Sequence, residues 1–259
     1  MSNPAREQRL VFGEVARQYH RLRPGYPEAV FQALQDYAGL EPGSKVLEIG
    51  AGTGKATGPM LRRGWRLVAL EPDPEMARVA RAAVKDLGEV DLLESTFEAW
   101  AEPEEAFAAL VAAQSWHWVD PAMRYPKASR VLRNRGTLAL VWNRPQDGDP
   151  RIREQLDRVY SRLAPHIATG PPGELQGDRR PEIARAGGFD RIELVRVPWE
   201  VQYSAPDYAE LMRTQSDHRL LAPELLETLL SEVQEVIDSA GGFYRMGYTS
   251  LLYLARALA

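Results

Sequence analysis

Residues 45–57, KVLEIGAGTGKAT, set a short apolar run against glycine at every second position, a combination few folds accommodate. Val46, Leu47 and Ile49 read as a buried strand, and Gly50, Gly52 and Gly54 mark a turn that side chains would obstruct. Turning a corner does not need glycine at alternate positions. The pattern implies that something approaches the backbone closely, with an acid, Glu48, standing just before the point of approach.

From this run onward, apolar stretches alternate with helical patterns. Lys45–Ile49, Arg66–Leu70, Val90–Leu93, Phe107–Ala113 and Thr137–Trp142 read as strands. Between the second and third, DPEMARVARAAVKDLG opens with Asp73 as cap and Pro74 at the first helical position. Met76, Val79, Ala80, Ala83, Val84 and Leu87 follow helical spacing there, and Gly88 ends the helix. Gly58 and Pro59 delay or kink the helix after the glycine turn. A further helix is capped by Asp149-Pro150, residues 169–181 read as a loop, and Ile192–Val201 alternates like an antiparallel strand. Ala205–Ser239 reads as two helices and Phe243–Ala255 as a last strand. Alternating strands and helices predict right-handed βαβ units and a sheet covered on both faces. The expected fold class is α/β, a Rossmann-like doubly wound, mainly parallel seven-stranded sheet with an antiparallel final strand and a helical cap insertion. It reads as a single domain over residues 1–259. An N-terminal lid covers 1–40, a nucleotide-binding core 41–204, the cap 205–240 and the final strand 241–259.

Composition limits what such a chain acts on. A formal net charge of -4 gives no electrostatic case for nucleic acid or an anionic membrane surface. The absence of cysteine excludes disulfides, thiolate metal sites and cysteine nucleophiles. His20, His117, His166 and His218 are too scattered to suggest a metal site, and His20 and His166 carry no functional expectation. Without an export signal or a membrane span, a cytoplasmic location is expected.

Three ligands compete for the glycine turn. A P-loop would need glycine at position 49 and a hydroxyl at 56, where Ile49 and Ala56 stand. A dinucleotide fingerprint fits Gly50 and Gly52 but meets Lys55 where a third glycine belongs, which weakens that reading without closing it. What remains is an acid followed by alternating glycines. The second strand ends in Glu71, 21 positions beyond Gly50, where a carboxylate can accept from both ribose hydroxyls. Glu48 would repel a pyrophosphate but suits a cationic ligand.

LEIGAGTG (47–54) resembles the first motif of the class I S-adenosylmethionine-dependent methyltransferases residue for residue. ARQYHRLRPGYP (16–27) and AAQSWHWVDP (112–121) resemble a small-molecule subgroup that includes trans-aconitate-methyltransferase-like enzymes, in the type 11 group. One departure is Phe107-Ala108, where family members commonly carry Phe-Asp. The resemblance implies S-adenosyl-L-methionine as cofactor. Gly50, Ala51, Gly52, Thr53 and Gly54 would lie against its amino-acid end and ribose, and Glu48 would serve its cationic part. Glu71, Pro72 and Met76 follow on the next strand and helix, and Thr96, Phe97 and Glu98 occupy the adenine-lining position. Gln114 and Ser115 are expected at the cofactor too. Tyr19 and Arg23 belong to the segment implied to fold over it, with Arg23 meeting its carboxylate.

Methyl transfer is an in-line displacement by the acceptor's own nucleophile, so the protein mainly aligns the partners and excludes water. His117 is a candidate base, with Trp116 beside it and His218 from the cap as further catalytic candidates. Trp142, Asn143, Arg144 and Gln215 are candidate acceptor contacts, and the partner is expected to be a small-molecule methyl acceptor. The competing functions are a nicotinamide-dependent oxidoreductase and a catalytically inactive, cofactor-binding partner subunit.

Overall fold

The computed structural model describes residues 16–103, 106–146, 148–167, 177–215 and 217–258. Seven strands form one sheet: β1 (Lys45–Ile49), β2 (Arg66–Leu70), β3 (Val90–Leu93), β4 (Phe107–Ala113), β5 (Leu132–Pro145), β6 (Phe189–Ser204) and β7 (Phe243–Ala257). Their order across the sheet is β3-β2-β1-β4-β5-β7-β6. β1 pairs in parallel with both β2 and β4, so the strand order reverses there. In open α/β sheets ligands bind outside the carboxyl ends of the strands at such a reversal. β7 lies antiparallel between β5 and β6, as the expected fold class requires.

The helices are α1 (Ala16–Leu22), α2 (Glu28–Ala38), α3 (Thr57–Arg62), α4 (Pro74–Val84), α5 (Arg124–Val131), α6 (Pro150–Leu163), α7 (Arg180–Ala186), α8 (Ala205–Arg213) and α9 (Pro223–Ser239). Asp73 starts α4 by accepting from the Glu75 and Met76 amides at 2.9 and 3.0 Å, and Pro74 sits where no amide is needed. α3 begins at Thr57, after the glycine turn rather than within it. Among the described residues, no helix is long and apolar enough to cross a membrane.

Two hydrophobic layers cover the sheet. On one face Leu47, Leu110 and Leu140 pack with Tyr125, Ala128 and Val131 of α5. On the other, Val46, Val111 and Val141 meet Phe31 and Leu34 of α2 and Met60 and Leu61 of α3. A separate cluster joins α6, α8 and α9 to the outer reach of β6 and β7 through Leu156, Tyr208, Leu229 and Tyr244. The two expected cap helices are therefore α8 and α9, and α6 joins them.

The first four strands have their expected bounds. β5 starts earlier, at Leu132, but its register against β4 jumps from Leu132 to Thr137. Arg135 at φ 57° and Gly136 make the turn inside it. The expected loop over 169–181 lies outside the described residues through 176, and its last two residues open α7, with Pro181 in the first turn and Ile183 buried.

Candidate functional site

The three glycines of the loop after β1 all have positive φ: 69° at Gly50, 59° at Gly52 and 85° at Gly54. Their reasons differ. A Cβ on Gly50 would collide with the Cβ of Ser115, and one on Gly54 would sit 3.3 Å from Val84 and 3.4 Å from Ala80 of α4. A Cβ on Gly52 would meet nothing within 4 Å. The outer two glycines let the chain pack against itself, and the middle one leaves space open. Gly54 accordingly serves the helix contact and does not line the cavity, which corrects its expected role.

At the edge of that space stands Glu71, buried at the end of β2. Its Oε2 accepts from the Gly52 amide at 2.8 Å and its Oε1 from the Asp73 amide at 2.9 Å. A carboxylate has about four acceptor positions, so these two amides do not exhaust what Glu71 can accept. Glu48 is 1% exposed, and its Oε2 accepts from the Thr57 hydroxyl at 2.7 Å. Burial, first, and then the nearby Glu71 push its carboxyl up to about 7, against the lowering effect of Thr57. A group raised in the folded state supports stability fully below its unfolded value and loses that contribution as pH climbs through the folded one. The wild type is therefore expected to lose stability relative to Glu48→Gln between pH 4.5 and 7, by up to roughly 3 kcal/mol. Denaturant titrations of both proteins across that range measure the difference, and parallel curves would refute it.

Glu48, Gly52 and Glu71 line one cavity of about 330 Å³ at the carboxyl ends of β1, β2 and β4. One wall is the segment after β3. Thr96 and Glu98 flank buried Phe97, whose ring packs 6.3 Å from Trp116. Lys127 of α5 fixes this segment, donating to the Trp100 carbonyl at 2.6 Å with its ammonium 5.1 Å from the Phe97 ring centre. Gln114 adopts φ 59°, a conformation costly for a residue with a side chain, where β4 enters the cavity. Ser115 is held by its hydroxyl bond to the Ile49 carbonyl. Ala51, Thr53, Pro72 and Met76 also face the space.

The N-terminal segment forms another wall with Tyr19, Arg23 and Tyr26. Arg23 does not point a free guanidinium at a ligand. It donates to the Thr214 hydroxyl and carbonyl at 3.1 and 3.0 Å, joining this segment to the end of α8. Asn143 lines the cavity as well, yet its amide donates to the Gly25 carbonyl at 2.8 Å and accepts from Ser250 at 2.6 Å. Its side chain is a structural clasp.

The remaining expected residues separate. His117 lines the cavity, but burial and the guanidinium groups of Arg179 and Arg124 push its imidazole down to about 4. It is neutral at pH 7 and a weak proton acceptor. Trp116 turns the other way in the same short 3-10 turn and is core, 5.4 Å from Tyr125. His218 is buried in the cap cluster, with one ring nitrogen 2.7 Å from the Tyr160 hydroxyl and the other 2.8 Å from Asp217. Trp142 packs edge-on to Tyr253 beneath Arg179. Trp116, His218, Trp142, Arg144 and Gln215 do not line the cavity, which corrects the expectation that they meet the ligand there. Lys55 and Trp118 line it and are absent from the expected set. The signal for Lys55 was its place in the glycine loop, where sequence reasoning weighed it only as a broken fingerprint.

Strand order and a glycine loop at the β1/β4 reversal define a Rossmann-like, nucleotide-binding type of α/β fold. Residues 47–140 match the family model for a methyltransferase domain. An uncharacterized methyltransferase of Mycobacterium tuberculosis is 40% identical over 154 residues, 60% of each chain. The matched segment thus spans three fifths of that curated relative's length. Among solved structures, a SAM-dependent methyltransferase from Geobacter sulfurreducens in complex with S-adenosyl-L-homocysteine shares the fold. Its TM-score is 0.50 at 16% identity, over 93% of this chain and 97% of that one. The [4+2]-cyclase SpnF shares it at TM-score 0.58 and 15% identity, over 100% and 98%.

Proposed function

We propose that this chain binds S-adenosylmethionine and transfers its methyl group to a small-molecule acceptor, yielding S-adenosylhomocysteine. The observation that carries the reading is the open position at Gly52, bordered by the buried Glu71 carboxylate that accepts the Gly52 amide. The methyltransferase-domain match over residues 47–140 supports it, as does the fold shared with a protein solved around S-adenosylhomocysteine.

In this reading Glu71 holds the ribose hydroxyls, the segment around Phe97 receives the adenine, and Glu48 offers negative charge to the cationic end. When bound, the cofactor supplies a methyl group activated on a sulfonium. The N-terminal segment and the Thr96–Glu98 wall exclude water, and His117, neutral and weakly basic, orients the acceptor more readily than it deprotonates it. A modest negative charge and a cavity of about 330 Å³ favour a metabolite over a nucleic acid.

Nothing in the methyltransferase-domain match supports a nicotinamide enzyme. Because a cyclase shares the fold, transfer itself has to be measured. S-adenosylhomocysteine at 100 times its Kd is expected to stabilise the protein by about 2.7 kcal/mol, read as a rise in Tm. Radiolabel from methyl-labelled S-adenosylmethionine is expected in product when the protein is incubated with pools of small acceptors. No shift with S-adenosylhomocysteine would sink the cofactor reading. A shift without labelled product would leave a binding subunit.

A further inference from the structure

An acid and an amine line the cavity without pairing with each other. Glu48 takes the Thr57 hydroxyl, and no hydrogen bond or ion pair joins Lys55 to any described residue. Lys55 is half-buried, so its ammonium gives up water without gaining a partner among the described residues, and burial draws its basicity down. Two residues earlier Thr53 is 1% exposed, lines the same cavity, and its hydroxyl oxygen has no hydrogen-bond partner among the described residues. A buried, unmatched hydroxyl costs stability unless a ligand completes it. His20 is drawn toward its neutral form, first by burial and then by Lys55, against a backbone hydrogen bond at Thr53. Arg23, which sequence reasoning assigned to an anionic group here, is engaged with Thr214.

We infer that the Lys55 ammonium and the Thr53 hydroxyl anchor the carboxylate of the bound amino-acid nucleoside while Glu48 takes its ammonium. The loop then recognises a zwitterion and not merely a nucleoside. The inference rests on the S-adenosylmethionine reading and adds a specificity-determining residue to it.

Calorimetric binding of S-adenosylhomocysteine and of its decarboxylated analogue, S-(5′-adenosyl)-3-thiopropylamine, separates the two claims. Wild type is expected to prefer S-adenosylhomocysteine by about 10- to 100-fold, the range of hydrogen bonds to a charged group. Lys55→Met is expected to lose most of that preference while binding the analogue as wild type does, and Lys55→Arg to regain part of it. Without ligand, Lys55→Met is expected to melt no lower than wild type, because the amine it removes has no partner among the described residues to lose. A lower Tm, an equal loss for both ligands, or an unchanged preference would overturn the role of Lys55 alone. Wild type binding neither ligand would overturn the cofactor reading and this inference together.

Discussion

Gly52→Ala is expected to cut the affinity for S-adenosylhomocysteine by about 100-fold or more while the chain still folds. The added methyl group points into open space, so nothing in the free protein clashes with it. The cost to folding is the positive φ alone, about 1 kcal/mol. A ligand lying against that backbone, by contrast, must shift by the size of a methyl, and misplacement of about 1 Å costs on the order of 100-fold. Gly50→Ala should do the reverse. Its Cβ meets Ser115, which is tied to the Ile49 carbonyl and has little room to retreat, so folding is expected to lose about 3 kcal/mol. Paired Tm and calorimetry measurements on the two variants give the contrast. Equal effects of both on stability, or normal binding by Gly52→Ala, would show that no ligand occupies the space.

Glu71→Ala is expected to lose about 100-fold in affinity and several degrees in Tm together. In the free protein the substitution strips the Gly52 and Asp73 amides of their acceptor, which destabilises by about 2 kcal/mol. For a chain of this size that is roughly 4–8 °C. In the proposed site the same carboxylate also accepts from the ribose, and losing charged hydrogen bonds to its hydroxyls accounts for the affinity. Adenosine, which has the ribose but no amino acid, should lose as much as S-adenosylhomocysteine does. A fall in Tm with unchanged affinity would reduce Glu71 to a loop brace.

What was readable in the sequence was what short-range physics dictates. β1 to β4 are buried parallel strands and appear as apolar runs, and Asp73-Pro74 announces α4 through cap chemistry that spans three residues. β5 was misjudged because its start depends on Arg135 and Gly136 turning inside the strand, where a Cβ at 136 would run into the Phe107 and Arg133 carbonyls. α7 escaped because Ile183 alone among its residues is buried, leaving no periodicity to detect. In the site, Glu71 was legible from its spacing. The parting of Trp116 from His117 was not, since a 3-10 turn sends adjacent side chains in different directions. The clasp of His218 on Tyr160 and that of Arg23 on Thr214 join residues 58 and 191 positions apart, and only tertiary structure brings them together. Lys127, which steadies the Phe97 wall, looks from sequence like any helical lysine.

The position of β7 carries a consequence for how the molecule comes into being. Because β7 lies between β5 and β6, the sixth strand has no neighbour to pair with until β7 has been synthesised. Ser250, on that strand, holds Asn143, which in turn holds Gly25. The entrance segment therefore waits on residues more than 200 positions downstream, and shortening the carboxyl terminus would leave the nucleoside end formed but its doorway unhinged.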